Sequence, residues 1–168
     1  MLFLSLFAVL EVATGLPACS VGELRNSRDS QYRIERVRQF LDSAEVIVRA
    51  KALSTFQDGG FWSRIRFEVV ERLRAPDSLK HVDLRGSVVL HDDFNQLPVP
   101  YRMVRPAGQR GDCDAREYRL DAEYLLILRS GHDGLNPHWK PLAPFNEQVR
   151  GSDDPWVVWV RQQVRPPG

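Results

Sequence analysis

The sequence predicts a mainly β protein in which five short strands close into a small barrel, with one helix before them and one after. Three observations lead there. Several segments alternate apolar and polar residues with the period of two that strands require. Turn residues such as Asp58-Gly59-Gly60 and Gly131-His132-Asp133-Gly134 separate them at short intervals. No alternation of strands with long helical patterns supports a parallel sheet. The 168 residues are 43% hydrophobic and 27% charged, which suits one domain with one core. Lys+Arg 23 against Asp+Glu 22 leaves a net charge of +1, too little for a global attraction to nucleic acid or an anionic membrane. The cations are unevenly chosen, since only Lys51, Lys80 and Lys140 are lysines. Two cysteines, Cys19 and Cys113, exclude a disulfide-dense scaffold and a four-cysteine zinc site.

The first segment reads as an address. Met1 to Leu10 is apolar except for Ser5, and small residues follow near Ala13, Gly15 and Ala18. A bilayer span needs about 20 apolar residues, so this run fits the hydrophobic region of a secretory signal over residues 1–18, with 19–168 as a single domain. A positive region before the apolar run is missing, as the first cation is Arg25, and a buried N-terminal helix is the plain alternative. Leu16-Pro17-Ala18-Cys19 also approximates a lipidation box, so membrane attachment arises only if Cys19 carries a lipid. Export, periplasmic or extracellular, permits a disulfide, and two cysteines allow one intramolecular pairing. A Cys19–Cys113 bridge would close most of the chain and stabilise by about 4–5 kcal/mol. Lipidation of Cys19 and that bridge exclude each other, and two free thiols complete the alternatives.

Ile34, Val37, Phe40, Leu41 and Ala44 follow helical spacing and predict a helix from about Gln31 to Ser43. Glu45 to Leu53 alternates, with Val46, Val48, Ala50 and Ala52 on one side. After the glycine turn, Phe61 to Leu73 alternates again, with Ile65, Phe67 and Val69 opposite Arg64, Arg66 and Glu68. The two form a hairpin with one face buried and one solvated. Ser87 to His91 is a third strand, and Asp92 to Arg119 is a polar, proline-bearing excursion too long for a simple turn. Tyr124 to Leu128 is continuously apolar, as a central strand is, and Trp139 to Leu142 supplies a last short strand. Ser152-Asp153-Asp154-Pro155 signals a helix start, Trp156, Trp159, Val160 and Val164 share a face, and Pro166-Pro167 ends the helix.

Taken in order, a cysteine after a signal, EVIVRAKAL, IRFEVVERLRAP, the pair Asp112-Cys113, and EYLLILR with a following Asp-Gly turn resemble the netrin-like domain. That is an OB-fold superfamily including the tissue inhibitors of metalloproteinases and many bacterial exported proteins. The resemblance covers most of residues 19 to 145 and implies an OB-fold-like barrel, a non-catalytic binding or inhibitory role, and a disulfide from Cys19 to Cys113. Members often begin Cys-x-Cys, whereas this chain has Cys19-Ser20-Val21. The inhibitors chelate a protease zinc through the N-terminal cysteine. Here the second cysteine that would rigidify that edge is missing, which weakens the inhibitory reading.

His81, His91, His132 and His138 are scattered and show no metal-ligand spacing, and no nucleophile elbow surrounds a serine, so neither a catalytic set, a metal nor a cofactor is expected. His91, Asp92 and Asp93 are the residues to test first under an enzyme reading. Asp112 and Asp114 flank Cys113 with charges that oppose thiolate formation, which favours a disulfide over a nucleophile. Trp62, Arg64, Arg66, Arg72 and Arg74 make a basic stripe on the outer face of the second strand. OB-folds bind oligonucleotides or oligosaccharides with such cations and aromatics, so an anionic oligomer is the second expectation. Export argues against nucleic acid, Glu68 and Glu71 interrupt the stripe, and a solvated strand face is the plainer explanation of it. Arg102, Arg105, Arg110, Arg116 and Arg119 form another cluster in the excursion. The expected partner is an unspecified protein or extracellular ligand, met by a monomer.

Overall fold

The computed structural model describes residues 33–59, 63–132, 134–137 and 140–164. Helix α1 (Ile34–Ser43) buries Val37 and Leu41, with Phe40 set edge-on to Phe145 at 5.0 Å. Strands β1 (Val46–Gln57) and β2 (Ser63–Arg74) form the expected hairpin, each 12 residues long. β3 (His81–Arg85) pairs with β2, β4 (Ser87–Val89) pairs in parallel with β5 (Glu117–Arg119), and β6 (Glu123–Gly131) pairs with β1. β7 (Gly134–Asn136) and β8 (Asn146–Val149) both pair with β6, and helix α2 (Pro155–Gln163) closes the order.

Among the described residues the structure is thus mainly β with a helix at each end, but it has eight strands in two sheets and no closed barrel. The larger sheet runs β3-β2-β1-β6-β7, so β3 and β7 are its edges. Three register shifts in the β1–β2 pairing, each a point where one strand carries an extra residue, curl these long strands.

β6 lies at the centre because it is apolar on both faces. Leu125 and Ile127 join Ile47 against α1, α2, Tyr101 and Phe145, whereas Tyr124, Leu126 and Leu128 join Val48, Ala50, Ile65 and Phe67 on the inner side. The continuous apolar run of the sequence reflects this double burial. Between β2 and β3, apolar pairs (Ile65 with Leu84, Phe67 with Val82) alternate with polar pairs (Arg64 with Arg85, Arg66 with Asp83, Glu68 with His81). α2 begins as its capping residues predict: the Asp154 carboxylate accepts from the Trp156 backbone N–H at 2.9 Å. Trp156, Val157 and Val160 are buried, and Trp156 stacks on both Tyr101 and Trp159.

Several expectations are corrected. The third strand of the main sheet is β3, while Ser87–Val89 leaves that sheet to pair with the end of the excursion. Leu142 lies in a turn with φ 64°, so the strand expected to end there is absent, and Trp139 lies outside the described residues. Instead Asn146–Val149 pairs with β6, and its Asn146, Glu147 and Gln148 are polar yet buried. No hydropathy pattern marks such a strand, because its burial depends on hydrogen bonds from the excursion. The expected leader, residues 1–18, and Cys19 also lie outside the described residues.

Candidate functional site

The arginine stripe is not one surface. An extra residue at Val70 reverses the alternation of β2, so Glu71 stands opposite Arg49 and Arg72 opposite Val48. Arg72 turns to donate to the Leu79 carbonyl at 2.7 Å. A second shift leaves Arg74 beside the C-terminus of α1, where it donates to the carbonyls of Leu41, Asp42 and Ala44. A cation there satisfies orphan carbonyls and complements the helix dipole. Glu71 accepts from Arg49 at 2.9 Å and Arg161 at 2.7 Å, tying β1, β2 and α2 together. Burial alone would raise its carboxyl, but these two guanidinium bonds outweigh it and hold it below the usual range. Of the predicted ligand residues, Arg64 and Arg66 remain on the outer face, Arg72 and Arg74 do not join them, and Trp62 lies outside the described residues.

Arg66 is itself engaged, in a two-pronged ion pair with Asp83 at 3.0 Å, with its guanidinium over the Phe56 ring. Arg64 differs. It binds Asp58 and the Asp83 carbonyl, yet its cross-strand neighbour is Arg85, a like charge directly opposite. Such pairs are unfavourable unless an anion lies between or beside them. Both arginines line a groove of about 260 Å³ between β3 and β7, the edges of the larger sheet among the described residues, where Arg116 joins them from the end of the excursion. Asp83 and Asp114 are the acids of that groove, Asp114 pairs with Arg116, and Asp58 pairs with Arg64 from the adjoining cavity, so the three arginines meet three carboxylates. Leu84, Leu135 and Pro137 give it apolar wall. A neighbouring cavity of about 430 Å³ shares Arg64, Asp83 and Leu135 and extends the groove toward Phe56 and His81. Sequence spacing found Arg64, placed Arg116 in the separate excursion cluster, and missed Arg85. The signal available for Arg85 was the short alternation of His81 to Arg85.

The excursion cluster is dispersed except at its centre. Arg105 is fully buried. Its guanidinium donates to Asp93 at 2.7 Å, to the Asn146 carbonyl at 2.9 Å, to the Glu117 carbonyl at 2.7 Å and to the Ala115 carbonyl. It also lies over the rings of Tyr118 and Tyr124. Asp93 accepts from the Ala107 backbone N–H as well, and the Glu147 carboxyl accepts from the Arg105 backbone N–H at 3.0 Å and from Asn95 at 2.9 Å. Burial pushes the Glu147 carboxyl up to about 7, against the pull of the Arg105 charge and of both hydrogen bonds.

Of the residues of the enzyme reading, Asp92 and Asp93 are engaged by the excursion and β8. Asp93 is the counter-ion of Arg105, and Asp92 accepts from Gln148 and sits 3.1 Å from the Arg119 guanidinium. His91 is exposed beside them. Among the described residues no three His, Cys, Asp or Glu side chains are grouped to hold a metal ion. Cys113 sits at the end of an irregular helical turn, with φ 50° and its carbonyl accepting from the Leu142 N–H at 2.7 Å. No described helix is long and apolar enough to cross a membrane. No protein-family model matches this sequence, and no curated protein matches it.

Proposed function

We propose that this chain is an exported, non-catalytic binding module of the netrin-like type that its sequence resembles, and that it holds an anionic ligand in the groove between β3 and β7. The observation that carries the reading is the convergence of Arg64, Arg85 and Arg116 on that groove. Its volume reaches the few hundred Å³ of small-ligand sites, and a carboxylate, sulfate or phosphate oxygen between Arg64 and Arg85 would supplement the Asp58 carboxylate that already stands beside Arg64. Guanidinium groups suit such ligands because they offer paired donors to two oxygens. The disulfide implied by the resemblance, Cys19 to Cys113, would anchor the start of the mature chain next to Asp114 in the groove wall.

Retention on immobilised heparin, eluted with rising salt, tests this reading. Wild-type protein is expected to be retained and Arg85→Ala to elute at lower salt. Arg102→Ala removes an exposed cation from outside the groove lining and is expected to elute like wild type. Each lost phosphate-like contact lowers the salt slope by about one unit. Equal effects of the two substitutions, or no retention at all, refute a groove-centred anion site.

A further inference from the structure

Three charged side chains are buried together without balancing. Arg105 supplies one cation, while Asp93 and Glu147 supply two carboxyls, all with at most 4% exposure. Asp93 takes the direct ion pair. Glu147 reaches only the backbone N–H of Arg105 and the Asn95 amide. Arg110 adds a cation from the surface, but to Asp93, at 3.6 Å, and more than half exposed. Among the described residues, the cation that acts on Glu147 is Arg105 again, which Tyr118 and Tyr124 flank from β5 and β6, while Tyr101 approaches from the excursion. Arg150 and Asp154 bear on Tyr101. Glu147 is thus the least compensated charge of the cluster. Protonated, it keeps acceptor capacity for both hydrogen bonds and leaves the buried groups neutral.

The same arginine holds the groove wall. Arg105 donates to the carbonyls of Ala115 and Glu117, on either side of Arg116, and Asn146, next to Glu147, donates to the carbonyls of Asp114 and Ala115. We propose that the Asp93–Arg105–Glu147 cluster is a pH-sensitive latch on the excursion 92–116, shut when Glu147 is protonated and loosened when it is ionised, and that it thereby governs the Asp114–Arg116 wall of the groove. The link to binding rests on the groove reading above; the latch itself does not.

The sign follows from linkage. Opening exposes Glu147, returning its carboxyl to the ordinary range near 4.5, whereas in the closed form it titrates near 7. Opening therefore releases one proton between these values. Closure is strongest in acid and weakens as the pH rises toward neutrality, by about tenfold per pH unit. Amide hydrogen exchange of residues 93–107, corrected for intrinsic rates and measured from pH 5 to pH 7 without ligand, reads this opening directly. Wild-type opening is expected to rise about tenfold per pH unit, and Glu147→Gln to stay flat near the acid-side level. A flat wild-type profile, or the same slope in both proteins, overturns the latch. The carboxyl carbon resonance of Glu147 in the wild-type protein is a second readout that needs no variant. A carboxyl already ionised at pH 5 overturns the proposal, and one titrating near neutrality together with the Asn95 and Arg105 amides upholds it. A groove that binds nothing leaves both measurements unchanged, so the two readings fail separately.

Discussion

Replacing Arg105 by methionine keeps much of the side-chain length and removes the only buried guanidinium of the Asp93–Glu147 cluster. Glu147 then lies in the interior without a cation and Asp93 keeps only the half-exposed Arg110 at 3.6 Å, while the carbonyls of Asn146, Ala115 and Glu117 lose a donor together, the Ala115 carbonyl retaining that of Asn146. Removing one member of a buried ion pair costs about 3–5 kcal/mol. Each buried carbonyl left unbonded adds about 1 kcal/mol where water does not reach it. These contributions share one side chain and do not add in full, so the expected loss is about 5 kcal/mol. For a domain of this size about 1 kcal/mol moves the melting temperature by about 3 °C, which places the variant roughly 15 °C below wild type. Urea unfolding followed by circular dichroism at constant pH gives the free energy, and an unchanged m-value confirms that the native state is still the reference. Combining Arg105→Met with Asp93→Asn is expected to cost less than the sum of the single changes, because the second substitution removes the charge that the first strands. A loss under about 1 kcal/mol for Arg105→Met, or strict additivity of the pair, refutes the view that this arginine organises the excursion.

Two further substitutions probe the packing on either side of the sheet. A Cβ at Gly86 would lie 2.5 Å from the Arg116 carbonyl oxygen and 2.6 Å from the Tyr118 ring, neither of which is a flexible chain end. Gly86→Ala is therefore expected to destabilise by about 1–3 kcal/mol in urea titration, and a neutral result would mean that β4 and β5 are less closely apposed. Trp156 is fully buried between Tyr101 at 4.9 Å and Trp159 at 5.2 Å. Trp156→Ala is expected to cost about 3–5 kcal/mol and to erase most of the near-ultraviolet dichroism; retention of both would place α2 off the sheet.

Much of the architecture was legible where one local pattern reports one face. The β1–β2 hairpin, the doubly buried Tyr124–Leu128 run, the amphipathic α1 and the Asp154-Pro155 start of α2 follow from side-chain period and capping chemistry. The candidate site was legible in part. Arg64 belongs to it, while Arg72 drops out because an inserted residue at Val70 turns it away and Arg74 because a second shift leaves it on the carbonyls that end α1, and alternation counted along β2 cannot register an insertion relative to β1.

The sequence by itself determined which segments have an apolar side and where helices begin, since these depend on residues within a turn or two of each other. Only the tertiary structure decided what becomes of the polar residues. Asn146, Glu147 and Gln148 form a buried strand because Asp93, Asn95 and Arg105, remote along the chain, supply their hydrogen bonds and charge. The sheet stays open at β3 and β7, and that opening brings Arg64, Arg85 and Arg116 to one groove. Burying a charge is tolerable only where its partners already stand, and the standing of those partners is a property of the whole fold.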